Sequence, residues 1–209
     1  MVELTRIYTR TGDDGQTRLS DMSLADKADL RVEAYGDVDE ANSAIGVALA
    51  LGGMPTAVTA ALQVIQNEMF DLGADLSLPL AADPDYEPLR VTQDYIDRLE
   101  HWCDEFGDPL PKLRSFILPG GTPAAAYLHI ARTVTRRAER SAWRAAARYG
   151  TDVASDDRPG GLSLLALRYL NRLSDLLFIL TRVVNGTDGE VLWVPGGARP
   201  TPTQRPQDR

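Results

Sequence analysis

The chain has 209 residues, 44% hydrophobic and 25% charged, with a formal net charge of -8; that length supports one well-buried core and is cramped for two. No apolar run approaches the roughly 18 residues a bilayer-spanning helix needs, and the acidic balance argues against nucleic acid or an anionic membrane as partner. Cys103 is the single cysteine, which rules out an intrachain disulfide or a cysteine-based metal site; with an opening MVELTRIYTR that lacks an apolar h-region, the expectation is a reducing cytoplasm.

The first notable segment is TRTGDDGQTRLSD, from Thr9 to Asp21. Gly, Asp and Thr make ordinary turns. Equally, Gly12 and Gly15 let the backbone approach a ligand, while Thr9, Thr11 and Thr17 with the local N–H groups offer donors to phosphate oxygens. Neither the P-loop nor the dinucleotide glycine fingerprint is present, so this segment alone leaves both readings open.

Five helical segments follow. The first is predicted from about Arg31 to Leu51, with Val38, Ala41, Ile45 and Ala48 spaced three and four apart. A second follows Pro55 with Thr56 as candidate cap, and Val58, Leu62, Ile65, Met69, Leu72 and Leu76 form a heptad-like seam. The third, after Thr92, puts Ile96, Leu99, Cys103 and Phe106 on one side. The fourth has the clearest start: PGGTP makes Thr122 the N-cap and Pro123 the first helical residue, and the pattern then runs unbroken to about Tyr149. The fifth, from about Leu162 to Val184, repeats leucine in steps of three and four and has Gly186 where a C-terminal cap belongs. Long helices with hardly any strand signal predict an all-α bundle. Outside it lie a Pro- and Asp-containing connection at 79–91, an acidic loop at 150–161, and a Pro-rich tail at 195–209 that reads as disordered. The helical domain is therefore assigned to residues 1–194.

Charge is concentrated on the fourth helix, where Arg132, Arg136, Arg140, Arg144 and Arg148 recur every four residues, with Arg137 and Glu139 beside them. Such a stripe is either a solvated face or a binding surface. Like charges at this spacing repel by a few tenths of a kcal/mol per pair, and arginine is the side chain suited to bidentate recognition of phosphate or carboxylate. Arg144 and Arg148 also suit the helix dipole. On the fifth helix, Asn171 and Asp175 lie opposite the leucine seam in apolar company, and a buried carboxylate there requires a partner or a ligand. Asp37, Asp39, Glu40 and Asn42 are placed near the start of the first helix, where acids suit its dipole. His101 and His129 are the only histidines; there is no Glu-x-x-His pair and no nucleophile elbow, and His129 reads as a packed helix residue.

The segments RIYTRTGDDGQTRLSD, AYGDVDEANSAIG, FILPGGTPAAAYLHIARTVTRRAERSAW and YLNRLSDLLFIL together resemble, in that order, the PduO-type ATP:cob(I)alamin adenosyltransferases over roughly residues 5–185. The resemblance implies a five-helix bundle assembled as a homotrimer, with ATP sites between adjacent subunits. It implies transfer of the 5′-deoxyadenosyl group of ATP to cob(I)alamin, giving adenosylcobalamin and triphosphate. Cob(I)alamin is itself the nucleophile, so a missing triad is no obstacle: alignment and leaving-group stabilisation suffice.

Residue by residue, the resemblance assigns the loop at about 5–21 to ATP, with Thr9, Arg10, Thr11, Gly12 and Thr17 enclosing the triphosphate and Lys27 meeting phosphate. Arg136 corresponds to the arginine nearest the reacting phosphates; Arg137, Glu139 and Arg140 complete its motif, and Asn171 contacts ATP. Asp39 and Arg132 form a salt bridge across the subunit interface. Phe116 occupies the lower face of the corrin once dimethylbenzimidazole is displaced, and Asp175 is assigned to the cobalamin side. The catalytic set is thus Arg136, Phe116, Asp39 and Arg132. Mg2+ accompanies ATP, with no dedicated protein metal site. An electron-donating reductase and an adenosylcobalamin-dependent enzyme are the implied partners. An ATP-sensing bundle without transferase activity, and an assembly protein whose arginine stripe binds acidic partners, are the alternatives from other classes. Arg10 departs from the lysine common in relatives and keeps the charge.

Overall fold

The computed structural model describes residues 8, 10–51, 53–84, 86–186 and 189–198. Five α-helices carry the fold: α1 Leu30–Ala50, α2 Thr56–Ser77, α3 Gln93–Gly107, α4 Pro123–Tyr149 and α5 Leu164–Asn185. A two-stranded antiparallel hairpin precedes them, β1 Gln16–Arg18 against β2 Leu24–Asp26, with Thr17 opposite Ala25. A short 3-10 turn at Gly196–Ala198 ends the described chain; residues 199–209 of the predicted disordered tail lie outside it.

The α4 helix is the centre of the bundle, packing against α1 on one side and α5 on the other, while α2 lies on α1 and α3 on α5. The sequence explains why α1 and α4 come close. Along α1 the buried positions Ala34, Val38, Ala41, Ile45 and Ala48 step by four and three, and α4 buries Ala131, Ala138, Ala142 and Ala145. Small side chains on both helices permit near approach of the backbones. The predicted α2 seam is buried along its whole length, and Leu167, Leu170, Leu173, Leu177 and Leu180 of α5 are at most 1% exposed. Burial of each such leucine contributes about 1.5–3 kcal/mol.

The ends of α4 follow from local chemistry. Thr122 accepts the Ala125 N–H, Pro123 opens the helix, and Gly150 caps it at φ 79°. Gly186 closes α5 at φ 64°. The α2 start differs from expectation: Pro55 occupies the cap position with no side-chain hydrogen bond, and Thr56 is the first helical residue.

Two segments read as free connections are anchored. Asp75, fully buried, accepts from Arg90 at 2.6 Å and from the Val91 N–H at 2.9 Å, while Arg90 also donates to the Leu78 and Pro79 carbonyls. Arg31, 3% exposed, donates to the carbonyls of Leu76 and Gly160 at 3.0 and 2.8 Å. This holds the acidic 150–161 loop against the end of α2. A Cβ on Gly160 would come within 1.9 Å of the Leu80 carbonyl oxygen, so only glycine permits that approach.

Candidate functional site

The hairpin brings the first group of candidate residues together. Gly15 at φ 82° turns the chain into β1, and its carbonyl accepts the Lys27 N–H at 2.8 Å. That pairing swings the Lys27 side chain over Gly12, where a Cβ would stand 3.2 Å from Nζ and 3.1 Å from the Gln16 carbonyl. Glycine at position 12 therefore leaves room for the ammonium. Thr17 hydrogen-bonds the Tyr35 side chain on α1, fixing the hairpin to the bundle. Arg10 is exposed at φ 62° with its guanidinium 5.8 Å from the Tyr8 ring centroid, and Thr11 is exposed in the turn between them and the hairpin. Thr9 lies outside the described residues.

The second group sits on α4 and α5. Arg136 is exposed, and its side chain has no hydrogen-bonding or ionic partner among the described residues; its carbonyl accepts from Arg140 at 2.9 Å. Glu139 accepts from the Asn171 amide at 3.2 Å across the α4–α5 seam. Both line a cleft of about 370 Å³ whose walls also include Gln93, Trp143 and Arg168. The sequence reading passed over these three. Trp143 follows Glu139 by four residues and Arg168 precedes Asn171 by three, so same-face spacing was the available signal.

Among the described residues no hydrogen bond or ion pair of Gly12, Thr17 and Lys27 reaches the Arg136–Asn171 group, so the candidate anion-binding residues fall into two groups, one on the hairpin and one on α4 and α5.

Other arginines of α4 are committed elsewhere. Arg137 pairs with Glu40 and lies 3.6 Å from Asp37, whose carboxylate also accepts from Ser141. The hydrogen bond to Glu40 holds the Arg137 guanidinium above its ordinary pKa. Arg144 donates to Glu33 at 2.6 Å, and Arg148 rests 5.9 Å from the Tyr149 ring centroid. Arg132 is half-buried and its Nε is shielded from solvent without a partner; burial, then Arg136, pushes its pKa down. Asp39 is exposed and pairs with no cation among the described residues.

Two expectations about polar side chains are corrected. Helix α1 begins at Leu30, so Asp37, Asp39 and Glu40 sit two turns in and only Glu33 lies in the first turn; Asp37 and Glu40 serve as partners for α4. Asn171 and Asp175 are exposed, and Asp175 pairs with Arg172 at 2.9 Å, so neither is a buried polar group. A carboxylate that is buried against α5 is Glu68 of α2, 4% exposed, which accepts from Tyr169 at 2.7 Å and from Arg98. Burial and Glu68 together hold the Tyr169 hydroxyl well above its ordinary pKa.

Phe116 projects from the loop before α4 and is 79% exposed, more than any other large apolar side chain among the described residues. His129 is buried as read, its pKa pushed down by burial and then by Arg132. Among the described residues no cluster of three or more His, Cys, Asp or Glu side chains is placed to hold a metal ion, and no helix is long and apolar enough to cross a membrane. The arrangement offers cations for an anionic ligand and an exposed aromatic ring, groups of the kind that align reactants and stabilise a leaving anion.

Comparison with known proteins finds relatives along most of the chain. The chain is 61% identical to a corrinoid adenosyltransferase of Mycobacterium tuberculosis strain H37Rv, over 95% of this chain and 97% of that protein. It is 45% identical to a corrinoid adenosyltransferase of Bacillus subtilis strain 168, over 88% and 89%. A variant of a PduO-type ATP:corrinoid adenosyltransferase from Lactobacillus reuteri, solved in complex with cobalamin and ATP, superposes with a TM-score of 0.77 at 35% identity, covering 90% of this chain and 99% of that one. The model of the family described as cobalamin adenosyltransferase matches residues 7–184, and the chain belongs to that family.

Proposed function

We propose that the protein transfers the 5′-deoxyadenosyl group of ATP to cob(I)alamin, giving adenosylcobalamin and triphosphate. The observation that carries this reading is the likeness, over 90% of the chain, to an enzyme complexed with cobalamin and ATP. The Co(I) electron pair forms the Co–C5′ bond as the C5′–O bond breaks, and the departing triphosphate takes that bond's electrons. No proton need move at the reacting carbon, so the step needs no general base.

In this reading the two groups belong to one ATP site completed by neighbouring copies. One copy contributes the loop at about 5–21, with Thr9, Arg10, Thr11, Gly12, Thr17 and Lys27 around the triphosphate. The next contributes Arg136, with Arg137, Glu139, Arg140 and Asn171 in support. The partnerless Arg132 Nε and the exposed Asp39 fit a salt bridge between copies, and a head-to-tail contact of this kind closes into a ring, here a homotrimer. Phe116 lies against the lower corrin face, where an apolar ring excludes the axial nitrogen, and Asp175 lies on the cobalamin side. Mg2+ would accompany ATP and supply charge neutralisation at the phosphates, with no dedicated protein metal site. The activity resides in a single domain at 1–194, in the cytoplasm, supplied by a reductase and serving an adenosylcobalamin-dependent enzyme.

The test is anaerobic. Chemically reduced cobalamin and MgATP are mixed with the protein, the conversion of cob(I)alamin to adenosylcobalamin is followed by absorbance, and the phosphate product is identified. Turnover with intact triphosphate is the expected result. ATP binding with unchanged cobalamin would instead favour an ATP-sensing bundle.

A further inference from the structure

The Phe116 ring is 79% exposed and meets the Trp193 ring from the segment after α5. Residues 115–118 and 191–193 pair antiparallel: Ile117 bridges Leu192, the Trp193 N–H donates to the Phe116 carbonyl at 2.7 Å, and the Leu118 N–H donates to the Val191 carbonyl at 2.8 Å. Ser115 Oγ donates to the Trp193 carbonyl at 2.8 Å. The two rings then meet edge to face, 6.2 Å between centroids at 70°, a favoured aromatic geometry.

This strap is itself fixed from below. Glu190, three residues before Trp193, accepts from Arg182 Nε at 2.7 Å, with both side chains only 9% exposed. Arg182 also donates to the Pro111 carbonyl at 2.8 Å, so one guanidinium joins the last turn of α5, the strap and the chain leading to Phe116. Asn185 holds the other end of the loop, accepting the Thr122 N–H at 2.8 Å and donating to the Gly120 carbonyl at 3.0 Å.

We infer that Trp193 is a positioning residue, which holds the Phe116 ring at the angle that keeps the lower axial nitrogen off the corrin, and that the Arg182–Glu190 pair holds Trp193 in register. The inference rests on the reading that Phe116 faces the corrin. Trp193 acts through Phe116 and touches no reacting atom. Its removal keeps the backbone pairing but takes away the ring's edge-to-face neighbour, so the axial nitrogen competes with a less constrained ring for the lower face. A corrinoid that carries no lower nucleotide arm presents no such competitor.

The experiment compares Trp193→Ala, Trp193→Phe, Glu190→Gln and Phe116→Ala in the full-length protein. Each is assayed for turnover of cobalamin and of cobinamide, for KM of ATP, and for the axial-nitrogen splitting in the electron paramagnetic resonance spectrum of bound cob(II)alamin. With Trp193→Ala, kcat/KM for cobalamin is expected to fall about two- to tenfold, the range an edge-to-face contact is worth. The nitrogen-split signal should grow, while KM for ATP and turnover of cobinamide stay unchanged. Trp193→Phe should keep most of the activity, and Glu190→Gln should fall between. Equal losses on both corrinoids, or a raised KM for ATP, would make Trp193 a general structural residue and overturn the inference. An impaired Phe116→Ala beside an unimpaired Trp193→Ala would overturn it alone. A Phe116→Ala variant that treats both corrinoids like the parent would overturn the corrin-facing reading, and the inference with it.

Discussion

Two sets of arginines on one helix behave differently. Arg137 and Arg144 of α4 turn toward α1 and meet Glu40, Asp37 and Glu33. Arg132 and Arg136, drawn from the same stretch, meet no carboxylate among the described residues. The residues are identical in type and their backbones identical in form, so what separates them is the surface each faces. Where α4 packs on α1, Arg137 and Arg144 each meet a carboxylate. At Arg132 and Arg136, two like charges one turn apart remain without one, at a cost of a few tenths of a kcal/mol. A folded chain retains that repulsion where an anion or a neighbouring subunit removes it. The contrast makes Arg137 and Arg144 the charges to test for stability, and Arg132 and Arg136 the charges to test for binding.

The largest test of this contrast is Arg136→Ala. Removing a cation aimed at a leaving anion costs about 10²–10³ in kcat, while an exposed substitution with no partner shifts unfolding free energy by less than about 0.5 kcal/mol. Turnover and urea denaturation measured on one preparation separate the two effects. A variant that keeps full activity would remove Arg136 from the phosphate site.

Asp39→Ala comes next. Without the carboxylate, the shielded Arg132 guanidinium has no counter-charge in the assembly, and the contact is expected to weaken by about 2 kcal/mol. Sedimentation should show dissociation at concentrations where the parent stays assembled, and ATP affinity should fall in parallel because the site is shared. Unchanged sedimentation with unchanged ATP affinity would refute the salt bridge between copies.

Glu68→Ala probes the opposite extreme, a charge satisfied wholly inside the chain. Tyr169, with no exposed surface, would keep its hydroxyl but lose its acceptor, and Arg98 would lose its carboxylate. A loss of about 1–3 kcal/mol is expected, read from the urea midpoint, with kcat little changed in the fraction that remains folded. A stability equal to the parent's would show that the network contributes nothing net.

How much of this was legible in the sequence divides along the same line as the arginines. The start of helix α4 was read to the residue because its signals are local: Thr122 caps and Pro123 opens, while the Gly150 cap emerged only in the fold. The α2 seam was equally plain, since period alone identifies it. The hairpin was missed because strands of three residues, Gln16–Arg18 and Leu24–Asp26, are too short to show alternation. Asp175 was misjudged because apolar neighbours in sequence do not bury a residue whose helix turns it to solvent. Glu68, Arg31 and Trp193 escaped notice for a shared reason. Their partners lie 101, 129 and 77 positions away in the chain, and no spacing rule links such residues. The candidate residues on α4 and α5 were assigned through motif likeness; the absence of a counter-charge at Arg136 among the described residues became visible only in the fold.

The smallest effect sharpens the comparison most. The motif assigns Arg137 to ATP, whereas the fold engages its guanidinium with Glu40 and Asp37. The Arg137 side chain is 42% exposed and that of Glu40 is 55% exposed, so solvent screens the pair and its net value is about 0–1 kcal/mol. Arg137→Ala should therefore cost little stability, and a double-mutant cycle with Glu40→Ala should return a coupling in that range. The coupling should shrink in 1 M salt, where the screening length is about 3 Å. Activity should fall by about tenfold or less, because Arg137 supports the α1–α4 seam beside Asp39 while Arg136 keeps its place at the phosphates. A loss as large as that of Arg136→Ala would mean that ATP binding draws Arg137 away from α1, and would move it from the satisfied set to the unsatisfied one.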